Sequence, residues 1–464
     1  MQPLKNTLKL SLLSVAMVFT LSSCASDGDD GNEGASGVDG TNGANGVDGQ
    51  NLPRELSIEV VGRFTAGGIE VFGKSAAEIV QFHKASNSAF AINSALNQIE
   101  VIDLSGLTTA PVANPFSDAS LQSSAFTFAD SVIVKDAAGA NQTIMLGAAN
   151  SIAIYDDVLA IAAEASVKTS PGAVLFFRLD ATGQGSFIKA VAAGSLPDMV
   201  AFSPDGSNVL VANEGEPDTD YNLDPEGSVS MITLTNGTPT DTAQTINFTT
   251  DMVFSNDTLN EEDYDSDAKR MALLKAAGIK FAGPDGMTVA EELEPEYITY
   301  APDGQTAYVS LQESNAIGIL DLTTLTVEVR ALGFKDWGTY QLDFSNKDEI
   351  PAFSNVEGLY GMYQPDTIAS YQWNDATFIL SANEGDSRDY AAYSEEVRIA
   401  DIIDEDELNM MLSPSLQAVY DANGAKDGLG RLKVTTALGD ADNNGEFEAL
   451  YAYGARSFSI WDQN

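Results

Sequence analysis

The sequence predicts an all-β chain folded as a β-propeller with a helical insertion, and three observations carry that expectation. Short runs rich in β-branched and aromatic residues recur between turn signals, as in residues 295–322, PEYITYAPDGQTAYVSLQESNAIGILDL. The turn Pro302-Asp303-Gly304 in that stretch has a mechanism: proline presets φ, aspartate bonds its own backbone and glycine accepts positive φ. The same turn stands at Pro204-Asp205-Gly206 inside a close copy at 197–234, and looser copies lie at 79–104, 151–179, 365–390 and 447–462. A unit of three or four strands recurring at roughly 40–50 residues is the pattern of a propeller blade. Counted generously, roughly six or seven units are present, and seven blades are expected.

Two segments of different composition precede the blades. Residues 1–23 read as a secretion signal, with Lys5 and Lys9 ahead of a short apolar stretch and then Leu21-Ser22-Ser23-Cys24. Those four residues resemble a bacterial lipoprotein cleavage box, so the single cysteine, Cys24, is the expected lipidated first residue of an outer-membrane lipoprotein. Such an end is a tether, with the folded body in water at the cell surface or on the periplasmic face. Residues 24–51 form a low-complexity stalk in which glycine stands at every third position from Gly28 to Gly49, the collagen period, but without proline. This reads as a flexible acidic spacer.

The body is expected over 52–464. A strand at 56–64 opens it, and residues 79–104 give three strands around a turn near 84–88. A further strand is expected at 131–135, and residues 152–179 make another blade with a turn at 168–172. An acidic loop at 218–227 interrupts the next blade. An insertion follows at about 236–292, read as mostly helical because 265–277 has helix-forming composition and Gly278 stands where a C-terminal cap would. Residues 330–359 read as an aromatic loop covering the disc. Another blade is expected at 365–390, then a helix over 395–420 broken by Pro414, and a last strand near 462. The abrupt stop at Asn464 leaves two expectations: closure by the strand at 56–64, or a propeller incomplete at its carboxyl end.

Charge and residue types narrow the chemistry. With 23 Lys+Arg against 68 Asp+Glu, the net charge is −45 and the pI about 4.1, which disfavours nucleic acid and anionic membrane surfaces as partners. The single His83 and single cysteine leave no Cys/His zinc site, and no P-loop or G-x-S-x-G elbow is present. Oxygen chemistry remains, which suits Ca²⁺ or Mg²⁺. Two loops are candidate metal sites: Asp218, Asp220, Asn222, Asp224 and Glu226, and the loop of Asp440, Asp442, Asn444 and Glu446. The second matches the first half of an EF-hand, with Gly445 at position six but Tyr451 in place of the closing glutamate. A tetrapeptide, Ala-Asn-Glu-Gly, repeats at 212–215 and 382–385 after apolar strands. It makes Glu214, Glu384, Asp386 and Arg388 candidate ligand-binding residues converging on a propeller axis, the arginine able to hold an anion. The same repeat is equally explained if Asn and Gly simply build one turn twice.

The stretches SLPDMVAFSPDGSNVLVANEGEPDTDYNLDPEGSVSMITL, EGLYGMYQPDTIASYQW, SANEGDSRDY and ARSFSIWD, with residues 295–322, resemble the choice-of-anchor I family of secreted bacterial proteins. That family is similar to the mesenchyme-specific cell-surface glycoproteins of animals, and some members are described as alkaline-phosphatase-like. The resemblance spans roughly residue 60 to the end. It implies a YVTN/WD40-like propeller at the cell surface, continuing past the SFSIWD strand. The expected function is a lipid-tethered module binding an unidentified small-molecule or protein ligand, with Ca²⁺ stiffening its loops. The alternative is a metal-dependent phosphoesterase in which acidic loops hold the metal and Arg388 orients phosphate.

Overall fold

The structure, a computed structural model, describes residues 58–67, 71, 73–74, 77–114, 116–117, 119–255, 259–347, 350–404 and 410–462. The signal segment, Cys24 and the stalk lie outside the described residues. The strand expected at 56–64 is not one: residues 58–67 are irregular, joined to their neighbours by isolated contacts such as Val112 N to Val60 O.

Five antiparallel sheets of the expected type follow one another along the chain. The first comprises Val80–His83, Ser88–Asn93, Gln98–Asp103 and Ser123–Phe126. The second runs Ser131–Lys135, Asn141–Tyr155, Val158–Ala165, Pro171–Leu179 and Gly185–Ser195. The third is built on Pro197–Phe202, Asn208–Asn213 and Ser228–Thr235, and Gln244–Asn247 completes it. The fourth runs Pro295–Tyr300, Thr306–Leu311, Ala316–Asp321 and Thr326–Ala331. The fifth pairs Pro365–Trp373 with Ala376–Asn383, and then Ser457–Asp462 returns to its edge. The two looser copies at 365–390 and 447–462 are therefore one sheet, and the described residues hold five blade-like sheets rather than seven.

The core lies between successive sheets. In Asn208–Asn213, Val209 and Val211 pack back against the second sheet while Leu210 and Ala212 pack forward against the fourth. All four are fully buried, because strand side chains alternate and both faces are covered. The Pro-Asp-Gly turns are as the residues dictate. Gly206 and Gly304 have φ of +71° and +69°. Asp205 Oδ1 accepts from Ser207 N at 3.0 Å, and Asp303 Oδ1 accepts from Gln305 N at 2.8 Å.

Two departures have clear causes. The insertion is mostly irregular. Residues 244–247 finish the third sheet, and among the described residues its regular helices are α1, Asp267–Ala276, and the single turn α2, Val289–Glu292. Around the fifth sheet, residues 332–362 and 391–455 build a second module instead of a loop and one long helix. Its mixed sheet runs Phe334–Asp336, Leu359–Met362, Leu450–Ala452, Lys433–Thr435 and Glu396–Arg398, and Trp337, Leu359, Leu416 and Leu450 share its own apolar core. Pro414 starts a helix here, α4, Pro414–Ala422 (Ile399–Asp404 being α3), with Ser413 Oγ accepting from Leu416 N as the cap. Proline lacks the N–H that the first helical turn would leave unsatisfied, so it begins helices as readily as it ends them.

The two glycine turns differ in surroundings. A Cβ on Gly304 would meet only Pro204 at 3.6 Å, whereas on Gly206 it would fall 2.3 Å from the Tyr155 ring. Gly304→Ala should cost about 1 kcal/mol for its backbone alone, and Gly206→Ala about 1–3 kcal/mol more. Equal urea midpoints for the two variants would contradict this.

Candidate functional site

Each inner strand opens with the same short device. Proline or alanine, then an acid or amide, precedes the first apolar residue, and register slips there: between Pro197 and Met199, Pro295 and Ile298, Pro365 and Ile368, and Ala149 and Ser151. This bulge re-aims one side chain per sheet. The residues placed on it are Asn150, Asp198, Glu296 and Asp366, and Glu78 holds the corresponding place before the first sheet. Leu196 and Gln364, ahead of two of those prolines, have φ of +46° and +42°, an uncommon conformation for non-glycine residues.

The Ala-Asn-Glu-Gly repeat lies at the ends of the strands facing these bulges. Its asparagine is structural in both copies. Asn213 Nδ2 donates to Ser228 and Ser230 Oγ at 3.2 and 2.9 Å, and Asn383 Nδ2 to Ser457 and Ser459 Oγ at 3.1 and 2.8 Å. Gly215 and Gly385 have φ of +78° and +92°. The turn is thus built twice, with Glu214 and Glu384 held between the asparagine and the glycine.

Those carboxylates converge. Burial pushes Asp198 up to about 7, reinforced by Asp366, Glu78 and Glu313. Burial likewise lifts Glu296 to about 11, with Glu313, Asp366, Glu214 and Asp198 adding repulsion. Glu214 is raised well above the ordinary range by burial and then by Asp198, Glu294 and Glu313. Glu384 enters the same group through Asp366, which burial and then Glu384 hold up. Asp386 contributes its charge to Glu313. Tyr390 stands near these acids, its hydroxyl raised by burial and by Glu294, Glu313 and Glu214, and it meets Tyr221 edge-on at 5.3 Å.

Arg388 is not open to an anion. It is 2% exposed, and its Nη1 donates to Tyr221 Oη at 2.8 Å and lies 3.0 Å from Glu294 Oε1. Its Nη2 donates to the carbonyls of Glu292 and Glu291 at 3.0 and 3.4 Å. The guanidinium is a clamp between the acidic loop, the segment entering the fourth sheet and its own strand end.

The two loops expected to hold metal behave differently. Asp218 Oδ1 accepts from Asp220 N and Asn222 N, and Asp220, Asn222 and Glu226 are exposed while Asp224 turns inward, so the five do not converge. Neither Asp224 oxygen has a hydrogen-bond partner, and burial pushes that carboxyl up to about 7 against the pull of Arg388. In the second loop Asp440 accepts from Asn444 N and Gly445 N, Asn444 accepts from Glu446 N, and Asp442 is exposed. Among the described residues no three His, Cys, Asp or Glu side chains stand close enough to hold one metal ion. His83, fully buried, joins the first two sheets through Ser86 Oγ at 2.8 Å and Asp157 Oδ1 at 3.2 Å.

Sequence reading missed Asp198, Glu296, Asp366 and Glu313. The signal for the first three was the proline–acid pair at each strand start. Glu313 was hidden by an offset, since Gln312 occupies the place of Glu214 and Glu313 that of Gly215.

Residues 78–464 match the family described as the Choice-of-anchor I domain. No curated protein matches the chain. Among solved structures, a protein from Lactobacillus plantarum is 12% identical over 69% of this chain and 66% of its own, with a TM-score of 0.35. A functionally unknown protein from Desulfotomaculum acetoxidans is 12% identical over 65% and 62%, at 0.31. The β-propeller domain of Myceliophteria thermophila Cps50 is 10% identical over 68% and 69%, also at 0.31. The chain thus spans less than two thirds of the length of the first two.

Two outcomes follow from the charges. Arg388→Ala should cost about 3–5 kcal/mol in urea unfolding, because it leaves the buried Glu294 carboxyl, the Tyr221 hydroxyl and two buried carbonyls without their donor; a loss under about 1 kcal/mol would refute the clamp. For Asp198, the folded pKa of about 7 lies above its ordinary 3.8, so its stabilising proton is fully held below about pH 4 and lost as pH rises through 7. Melting temperature should therefore fall across that window, and Asp198→Asn should flatten the fall; parallel curves would refute the assignment.

Proposed function

We propose that this chain, which belongs to the choice-of-anchor I domain family, is a cell-surface β-propeller module that binds a cationic organic group at its axial mouth. The observation that supports this reading is the gathering of Asp198, Glu214, Glu296, Glu313 and Asp366, from three sheets, beside Tyr390. Like charges buried together are unfavourable unless protonated or met by a cation. The carboxylates are spread among sheets rather than focused on one point, and an aromatic ring borders them. That suits the ammonium or guanidinium of a ligand or partner, which can bridge acids and lie on a ring, better than a bare ion. Among the described residues no helix is long and apolar enough to cross a membrane. In this reading Cys24 carries the acyl tether, and Ca²⁺, where it acts, stiffens the loops at 218–226 and 440–446.

Calorimetric titration with a triarginine peptide tests the reading, with CaCl₂ as a parallel arm. The peptide should bind with an affinity that falls as salt rises, and Asp198→Asn with Asp366→Asn should weaken it by about tenfold or more. Binding unaffected by that double substitution, or a response to Ca²⁺ alone, would overturn the proposal.

A further inference from the structure

The second module carries a different charge pattern. A cavity of about 450 Å³ opens beside its sheet edge, and Arg398, Arg431, Lys433 and Arg456 line it. The chain has only 23 Lys+Arg against 68 Asp+Glu, so four cations in one wall reverse the local sign. Two carboxylates share the lining, Asp343 and Glu396. Glu396 is already ion-paired with Lys433. That leaves three guanidiniums and one acid.

Their donors are only partly used. Arg398 Nη1 donates to the Arg431 carbonyl at 2.7 Å, and Arg431 Nε donates to Asn346 Oδ1 at 3.0 Å. Arg456 is exposed and makes no hydrogen bond or ion pair with another described residue. Its φ of +44° is a conformation that non-glycine residues seldom adopt, and such outliers cluster where a side chain is presented for a purpose. Three guanidiniums around one cavity repel one another unless an anion sits among them, and their planar forks fit oxyanions with two N–H groups at once.

We propose that this cavity binds a small, multiply charged oxyanion. A single carboxylate would leave most of the positive charge unmet, whereas a phosphate ester or a polycarboxylate would engage two or three of the arginines. Elsewhere the strongly acidic chain repels such ligands, so the cationic wall also gives the site its selectivity. The inference is independent of the axial mouth.

Calorimetric titration of the full chain at low salt, with pyrophosphate and with citrate, tests it. At least one should bind with one-to-one stoichiometry, and whichever binds more tightly distinguishes a phosphate from a carboxylate source. Arg456→Ala should weaken that binding by about tenfold, the loss of one charge-assisted pair, with an unchanged melting temperature because its side chain supports nothing in the fold. Arg398→Ala combined with Arg431→Ala should abolish it. Absence of binding by both probes, or wild-type affinity in Arg456→Ala, would overturn the proposal.

Discussion

A buried arginine makes the rest of this molecule possible. Sheets whose inner strands mostly begin with an acid must bring those acids towards one another, and each added carboxylate raises the cost of ionising the others. Arg388 enters that crowd with its side chain only 1% exposed and answers Glu294, Tyr221 and two carbonyls at once. Its own backbone N–H is held at 3.0 Å by Glu395, whose carboxylate also meets the buried Lys280 and Thr435. The chain of contacts therefore runs from the insertion through the second module to the acidic loop. Removing a link would leave a charge in a place that water does not reach, which is why such networks fix geometry even where their net stabilisation is small.

The parts that were legible in sequence are those in which chemistry acts locally. Pro-Asp-Gly specifies its turn wherever it occurs, and Gly278, φ +94°, ends α1 as its position demands. Alternating apolar strands were readable because burial on both faces leaves few polar residues in them. What was hidden depends on long-range partners. Ser457–Asp462 looked like the end of a further unit because sequence does not show that it crosses 73 intervening residues to pair with Ala376–Asn383. Pro414 was read as a terminator because its meaning depends on whether a helix lies before or after it. An arginine three residues past the Ala-Asn-Glu-Gly tetrapeptide reads as a ligand clamp until its depth is known, and depth is a tertiary property.

The Ala-Asn-Glu-Gly repeat shows how a turn fixes the residue carried on it. Asn213 and Asn383 bond equivalent serine pairs, so the asparagine belongs to the turn. The glycine belongs to it too, since a Cβ on Gly385 would lie 2.0 Å from Gly454 N. Once backbone and asparagine are fixed, the glutamate has little freedom in where it emerges. The structural reading holds in both copies, and it fixes where Glu214 and Glu384 stand.

Protonation is part of this geometry. Burial and mutual repulsion hold the carboxyls of Asp198, Glu214 and Glu296 above the ordinary carboxylate range, favouring the neutral form. A neutral carboxyl attracts a cation weakly. In the proposed reading, a cation binding among these acids would displace protons, so its affinity would rise with pH as the competing protons become scarcer. In that reading the chain's overall acidity would draw cations in from a distance, while the clustered acids would set how tightly they are held. Net charge alone is enough for the first effect, and only the clustering of particular strand ends could supply the second.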